Sequence, residues 1–387
     1  RALAFERAAR LYGQALELSG GEAPLELREA HAVALFNGGR CEAAGRAFAQ
    51  TADRAAHDPA RQLELRRRGA EALLMSGHVS EGVAELRRVL AAVSIRYPES
   101  VAVTVLAFLF YRFGVWARGL SFRERDGATL GDDERIRLDA CWTVARSLST
   151  VDTLRGGMFQ ARALLGALRG GDPARIARAL ALEAAYVSIR GPRGAARAAQ
   201  LHGQAAQLAE RTADPYAVGM VLGTRGWSAL LCGQFRLARS LCEEAAQLLR
   251  EQCVGAPWES ATHELFVLWA LSYLGELELL AARVERRTRE ADERGDVYIG
   301  VCLRAGINHA AWLREGDVAR AEDALEQARA RWPAHEGFHN QDWWILMGAI
   351  NLDLYRDTPA AAHERLERAW SSLRRSLVVA VQITDAE

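Results

Sequence analysis

The sequence predicts an all-α chain in which about nine helix–turn–helix hairpins stack into one right-handed α-solenoid over residues 1–387. Three observations carry this. Turn residues recur at a near-constant interval, and small and apolar residues stand at fixed offsets behind each turn. Half of the residues are apolar and a quarter charged, the balance of a folded soluble protein. A chain of 387 residues exceeds one ordinary compact domain, so a repeat array is the simplest alternative to two or three separate ones.

The unit is plainest in WLREGDVARAEDALEQARARWP, residues 312–333. Trp312 and Leu313 end one helix, Gly316 supplies a left-handed cap, and Asp317 is placed to N-cap the next helix. Ala321, Leu325 and Ala328 then form a single apolar stripe, and Pro333 stops it. Such a hairpin has one sticky face that it cannot bury alone. Gly39 with Ala44 and Phe48 repeats the pattern, as does Gly77 with Gly82, Leu86 and Val89. Fainter copies turn at Gly191 and Gly275, and Gly233 is followed by Ala238, Cys242 and Ala245. The last copy turns at Asp357, with Ala362, Leu366 and Ala369 behind it. From Gly191 onward the turns step by 42, 42, 41 and 41 residues, the mark of a stacked array. Contacts in such an array are local, which predicts unfolding less cooperative than that of a compact domain.

Between about residue 100 and residue 190 the register is less regular. RERDGATLGDDERI (123–136) reads as a longer exposed loop. The most apolar run, 101–117, is interrupted by Arg112 and is too short to span a bilayer, which predicts a buried core helix.

The offsets resemble those of the tetratricopeptide repeat, although the spacing exceeds that family's 34 residues. A second resemblance covers nearly the full chain. CWTVARSLSTVD (141–152), GMFQARALLGALRGGDPARIARALALEA (157–184), CVGAPWE (253–259), GFHNQ (337–341) and SLVVAVQ (376–382) resemble the C-terminal repeat region of large myxobacterial serine/threonine protein kinases. In that family a kinase domain and an NTPase module precede the helical region. The resemblance implies a regulatory or sensory role and carries over no active-site residue. The chain begins at Arg1 without Met, and is expected to be an internal or C-terminal piece of a longer multidomain protein.

Composition restricts the chemistry. The 49 basic residues balance the 49 acidic ones, so no global field draws nucleic acid or an anionic membrane. All 49 are Arg, which excludes a P-loop lysine, a kinase strand lysine and a Schiff-base lysine. No G-x-S-x-G, G-x-G-x-x-G, H-R-D or D-F-G motif occurs, and the chain is expected not to be an enzyme. Arginine clusters at 66–68, 123–125 and 286–289 lie among Glu–Arg pairs spaced i,i+4, as on a solvated helix face. Six scattered cysteines without a C-x-x-C pair fit reduced thiols in a cytoplasmic protein. HEGFH (335–339) matches the zinc motif H-E-x-x-H by letter. Pro333 and Gly337 place His335, Glu336 and His339 in a loop between hairpins, so no metal or cofactor is expected.

The aromatics point to a site. Eight of ten Trp lie after residue 225, and Trp227 and Trp269 are one 42-residue period apart in equivalent first helices. Tyr273 is one turn beyond Trp269, and Trp343 or Trp344 opens the first helix of the last hairpin. Periodic Trp and Tyr on a repeat's inner side predict aromatic anchors for a partner protein or peptide, the protein's own kinase domain being one such partner. The alternative is a small-molecule sensor acting on upstream catalytic modules. A short apolar pocket with a few convergent polar groups would favour the sensor; a long open groove would favour the partner.

Overall fold

The computed structural model describes residues 2–149, 151–332, 338–376 and 378. The described residues contain nineteen α-helices and no strand. Eight hairpins follow one another: α2 (Leu25–Asn37) with α3 (Cys41–Arg54), α4 (Pro59–Met75) with α5 (Val79–Ala92), α7 (Asp132–Leu148) with α8 (Thr153–Gly170), and α9 (Pro173–Ser188) with α10 (Ala195–Thr212). Then come α11 (Pro215–Leu231) with α12 (Phe235–Gln252) and α13 (Pro257–Leu274) with α14 (Leu277–Arg294). Next, a broken helix made of α15 (Val297–Arg304) and α16 (Ala310–Leu313) pairs with α17 (Val318–Arg331). Last, α18 (Asn340–Tyr355) pairs with α19 (Pro359–Ser376). Helices α1 (Ala2–Leu18) and α6 (Val101–Arg118) stand outside the hairpins.

The local rules are those of the sequence. All seven turn positions named from spacing adopt positive φ, from +57° at Gly191 and Asp357 to +90° at Gly77. Aspartates 58, 152, 172, 214, 296 and 317 N-cap the helices that follow them, each accepting a backbone N–H at 3.0 Å. The stripe residues behind the turns, among them Ala44, Phe48, Leu86, Ala238, Cys242, Ala321 and Leu325, are buried. Each Leu so placed contributes about 2 kcal/mol. Of the loop expected at 123–136, residues 123–131 have no α-helix and are mostly exposed, whereas 132–136 form the first turns of α7.

Helix α6 departs from expectation. The run read as a buried core helix is a surface helix, with Thr104 and Val115 its buried residues. Its apolar side chains at 106, 109, 110, 113 and 116 share one outward stripe, and Trp116 is 78% exposed. Arg112 is one of its ties to the body: its guanidinium donates to Glu183 of α9 at 2.5 Å. By length and composition α6 is apolar enough to cross a membrane, yet its other face packs on α8.

The array also curls back on itself. The N–H of Tyr298 in α15 donates to the carbonyl of Ser76 after α4, and Asn37 accepts from the N–H of Gly255 at 2.7 Å. Asn340 of α18 donates to Thr153 of α8 at 3.3 Å. Trp258 of α13 belongs to the core of the first hairpins with Phe36 and Phe48. Contacts are therefore not purely local. Helix α13 is buried at Trp258, Glu259, Glu264, Leu265, Val267 and Leu268, which point to all sides, so it runs through the centre of the curl.

Candidate functional site

The curl forms a partly open cavity of about 160 Å³ between α7, α9, α11, α13, α15 and α18. Trp227, Trp269, Tyr273, Trp343 and Trp344, named from their spacing, all line it. Three of these rings, Trp227, Trp269 and Trp344, form a connected set with Phe266. The centroid of Trp227 lies 4.6 Å from that of Phe266 and 5.9 Å from that of Trp269. Trp269 meets Trp344 edge-on at 5.4 Å, and Tyr273 stacks on Phe235 at 4.6 Å. Trp227, Trp269, Tyr273 and Trp344 are half-buried, whereas Trp343 is buried.

Two local features open this space. Helix α11 carries GMVLGTRGW (219–227), and Gly223 lies so close to the His263 ring that a Cβ there would stand 2.0 Å from it. Glycine in a helix interior costs about 1 kcal/mol relative to Ala, and here it admits the neighbouring ring. On the opposite side α15 stops at Arg304, and Ala305, Gly306 and Ile307 line the cavity before α16 begins. The break is held by buried side chains: Asn308 donates to the carbonyl of Cys302 at 3.0 Å, and the His309 ring bonds the carbonyl of Ala321 at 2.9 Å.

Polar groups converge on the wall. Arg146 of α7 is buried in an ion-pair network with Glu71 of α4 and Glu259 of α13. Tyr216 donates to Glu259 at 2.6 Å, and Arg67 donates to Glu71 at 2.9 Å. Burial alone would raise the Glu71 carboxyl, but the charges of Arg146 and Arg67 outweigh it and hold it below the usual range. His263 is different. Burial pushes its pKa down to about 4, so it is neutral at pH 7, and neither ring nitrogen has a hydrogen-bond partner among the described residues. The hydroxyls of Thr262 and Tyr186 and the indole N–H of Trp343 are equally buried and without partners there. Leaving such a group unsatisfied costs about 1–3 kcal/mol, so four side chains of this kind around one cavity are unusual for packing alone. Cys302 also lines the space, but burial pushes its thiol well up and leaves it unreactive.

Spacing found the aromatics because they recur with the hairpin. It missed Phe266, His263, Trp258 and the Glu71–Arg146–Glu259 network, which do not repeat. The glycines at 219, 223 and 226 were the available signal for a close helix approach. Of the zinc-like motif, His335 and Glu336 lie outside the described residues. His339 precedes α18, where its N–H donates to Asp342 at 2.7 Å. No group of three metal-binding side chains occurs among the described residues. The six cysteines are free thiols, four of them buried.

No family model matches the chain, and no curated protein matches its sequence. Among solved structures it is similar to the crystal structure of the yeast Tom70, at 12% identity and a TM-score of 0.31. That overlap covers 99% of this chain and 92% of the other.

Proposed function

We propose that this chain is a sensor region that takes a small, largely apolar molecule into the aromatic cavity. Its occupancy would then bear on catalytic modules elsewhere in a longer signalling protein. The observation that carries the reading is a short, mostly apolar pocket bearing unpartnered polar groups at Thr262, His263, Tyr186 and Trp343. Aromatic faces supply the contact area, and the polar atoms supply orientation. The size suits a single ring: an engineered cavity of about 150 Å³ accepts benzene. Walls drawn from helices far apart in the array give occupancy a route to the rest of the molecule, because a ligand there bridges α9, α13 and α18.

The test is titration calorimetry with indole and benzyl alcohol on the wild type and on Ala185→Leu, which fills the cavity from its α9 wall. Saturable binding that the fill-in variant removes, at equal or higher melting temperature, supports the sensor. Failure of the wild type to bind either probe sinks it.

A second reading, contact with another polypeptide such as the kinase domain that the sequence resemblance implies, is favoured by the bare stripe of α6. Contiguous exposed apolar area of this kind marks interaction surfaces. Protection of Phe110 and Trp116 from solvent labelling in the full-length protein, relative to this region alone, tests it.

A further inference from the structure

Outside the aromatic cavity lies a larger chamber of about 830 Å³, formed by α6, the start of α8, the end of α9 and the start of α10. The two spaces share Thr153, Tyr186 and Ile189, so they adjoin across these side chains. Their chemistry differs. The outer chamber is lined by Arg112, Arg190, Arg193 and Arg197 against a single acid, Glu183. Four cations less one anion leave a surplus of +3. Arg112 is matched by Glu183, but Arg190 and Arg193 have no ion pair or side-chain hydrogen bond among the described residues, and Arg197 donates to the neutral Gln200 at 2.5 Å.

This crowding is unfavourable as it stands. The three arginines fall within eight residues, RGPRGAAR (190–197), at the N-terminus of α10. That end of a helix carries the positive pole, where cations are repelled by about 0.3–1 kcal/mol each. Its N-cap, Gly194, offers no side-chain acceptor, so the first-turn N–H groups of α10 are not capped. Some helices of the chain are capped by aspartate, as at Asp172 and Asp214, while α3, α5, α12 and α14 share with α10 the lack of a side-chain cap. The floor adds an independent sign of a missing partner. Glu183 is 3% exposed, lines the chamber, and its Oε2 has no hydrogen-bond partner among the described residues, an acceptor that a donor on the ligand, and not its anionic group, would meet. A local conflict of this sort, left unresolved by the fold, is expected where a ligand resolves it.

We propose that the outer chamber is an anion-recognition site. Arg190, Arg193 and Arg197 hold the carboxylate, sulfonate or phosphate of a ligand whose apolar body occupies the aromatic cavity. The inference rests on the reading of the inner cavity as a ligand site. It narrows the ligand class to amphipathic anions with a small ring or chain. Tyr186, common to both chambers, stands where the two halves of such a molecule meet.

The probes are phenylacetate, phenylbutyrate and phenylhexanoate, each beside the corresponding alcohol, titrated by calorimetry. One hydrogen-bonded charge is worth about 1.5–3 kcal/mol, so the best acid should bind about tenfold or more tightly than its alcohol, with the gap closing at high salt. In Arg190→Gln/Arg193→Gln/Arg197→Gln, all exposed positions, the acid should fall to the affinity of the alcohol while the alcohol is unaffected. Alcohols that bind with acids no better, or an acid preference that survives the triple substitution, overturns the anion site and leaves the inner cavity standing. Alcohols that do not bind overturn both readings. Sedimentation with phosphatidylglycerol and phosphatidylcholine vesicles separates the sources of the anion. Capture by the first alone, lost in the triple variant, assigns it to a lipid headgroup, and capture by neither assigns it to a soluble molecule.

Discussion

The ring centroids of Trp227 and Trp269, residues 42 apart in sequence and one repeat apart in the fold, stand 5.9 Å from each other on the same cavity wall. Phe266 touches both, at 4.6 and 5.5 Å, and Trp344 continues the set beyond Trp269. The periodic helix has become a shared aromatic surface. Because Trp269 is half-buried, its removal should affect binding more than folding. Trp269→Ala is expected to weaken indole binding by about 1–3 kcal/mol and to cost less stability than the roughly 3–5 kcal/mol of a fully buried aromatic. Phe159→Ala, at a fully buried position, is the control. Calorimetry and urea unfolding on both variants check it. A large stability loss with binding intact would assign Trp269 to the core.

What repeats in this chain was legible, and what breaks the repeat was not. Gly39, Gly77 and Gly316 announce their turns because positive φ is sterically open to glycine, and Ala321 and Leu325 announce the buried face by helical spacing. The hydrophobic run at 101–117 misled, since apolar composition reports what a helix could bury and not whether a neighbour covers it. The meeting of Arg146 with Glu71 and Glu259 depends on the curl of the array. That curl sums many small inter-hairpin rotations which no single hairpin encodes.

The turn at Gly77 is expected to be intolerant. Its φ of +90° disfavours any side chain, and a Cβ would stand 3.0 Å from the backbone nitrogen of Tyr298, on the other side of the closure. Gly77→Ala should therefore cost about 2–3 kcal/mol. At Asp357, φ is +57° in a residue with a side chain, so Asp357→Gly should be neutral or stabilising by up to about 1 kcal/mol. Denaturant midpoints of the two variants measure the contrast, and a stabilised Gly77→Ala would refute the reading of the closure.

His263 predicts a pH dependence. Its folded pKa of about 4 lies below the ordinary 6.5, so the unfolded chain binds the proton more readily. Stability from this group is fully present above pH 6.5 and is lost as the pH falls from there towards 4. The full effect is on the order of 3 kcal/mol. His202, pushed to about 4 by burial, acts in the same direction. Asp296, raised by burial to about 6, acts in the opposite one as it protonates. The difference between wild type and His263→Gln isolates the one residue. Melting temperatures should converge on acidification from neutral pH to 4.5, and parallel curves would exclude the histidine.

The last prediction concerns how the curl is held. Local contacts alone would let the hairpins melt piecemeal, yet Arg146 joins α4 to α13 through two glutamates in a buried setting, with Tyr216 bonded to one of them. Such a network is strong evidence of coupling and weak evidence of stability, since its attraction is offset by the desolvation of each charge. Removing one member should therefore be worse than removing all. Arg146→Met leaves Glu259 buried without a counter-ion and Glu71 with Arg67 alone, and should cost about 3–5 kcal/mol. Adding Glu71→Gln and Glu259→Gln to it should recover most of that loss. The single variant should also split the unfolding transition, because hairpins α2–α5 lose their tie to the centre and open first. Hydrogen exchange should show this as protection lost in α4 and α5 while α11 and α12 keep theirs. If Arg146→Met unfolds in one transition with less than about 1 kcal/mol lost, the network does not close the array, and the hydrogen bonds at Ser76 and Asn37 must do so alone.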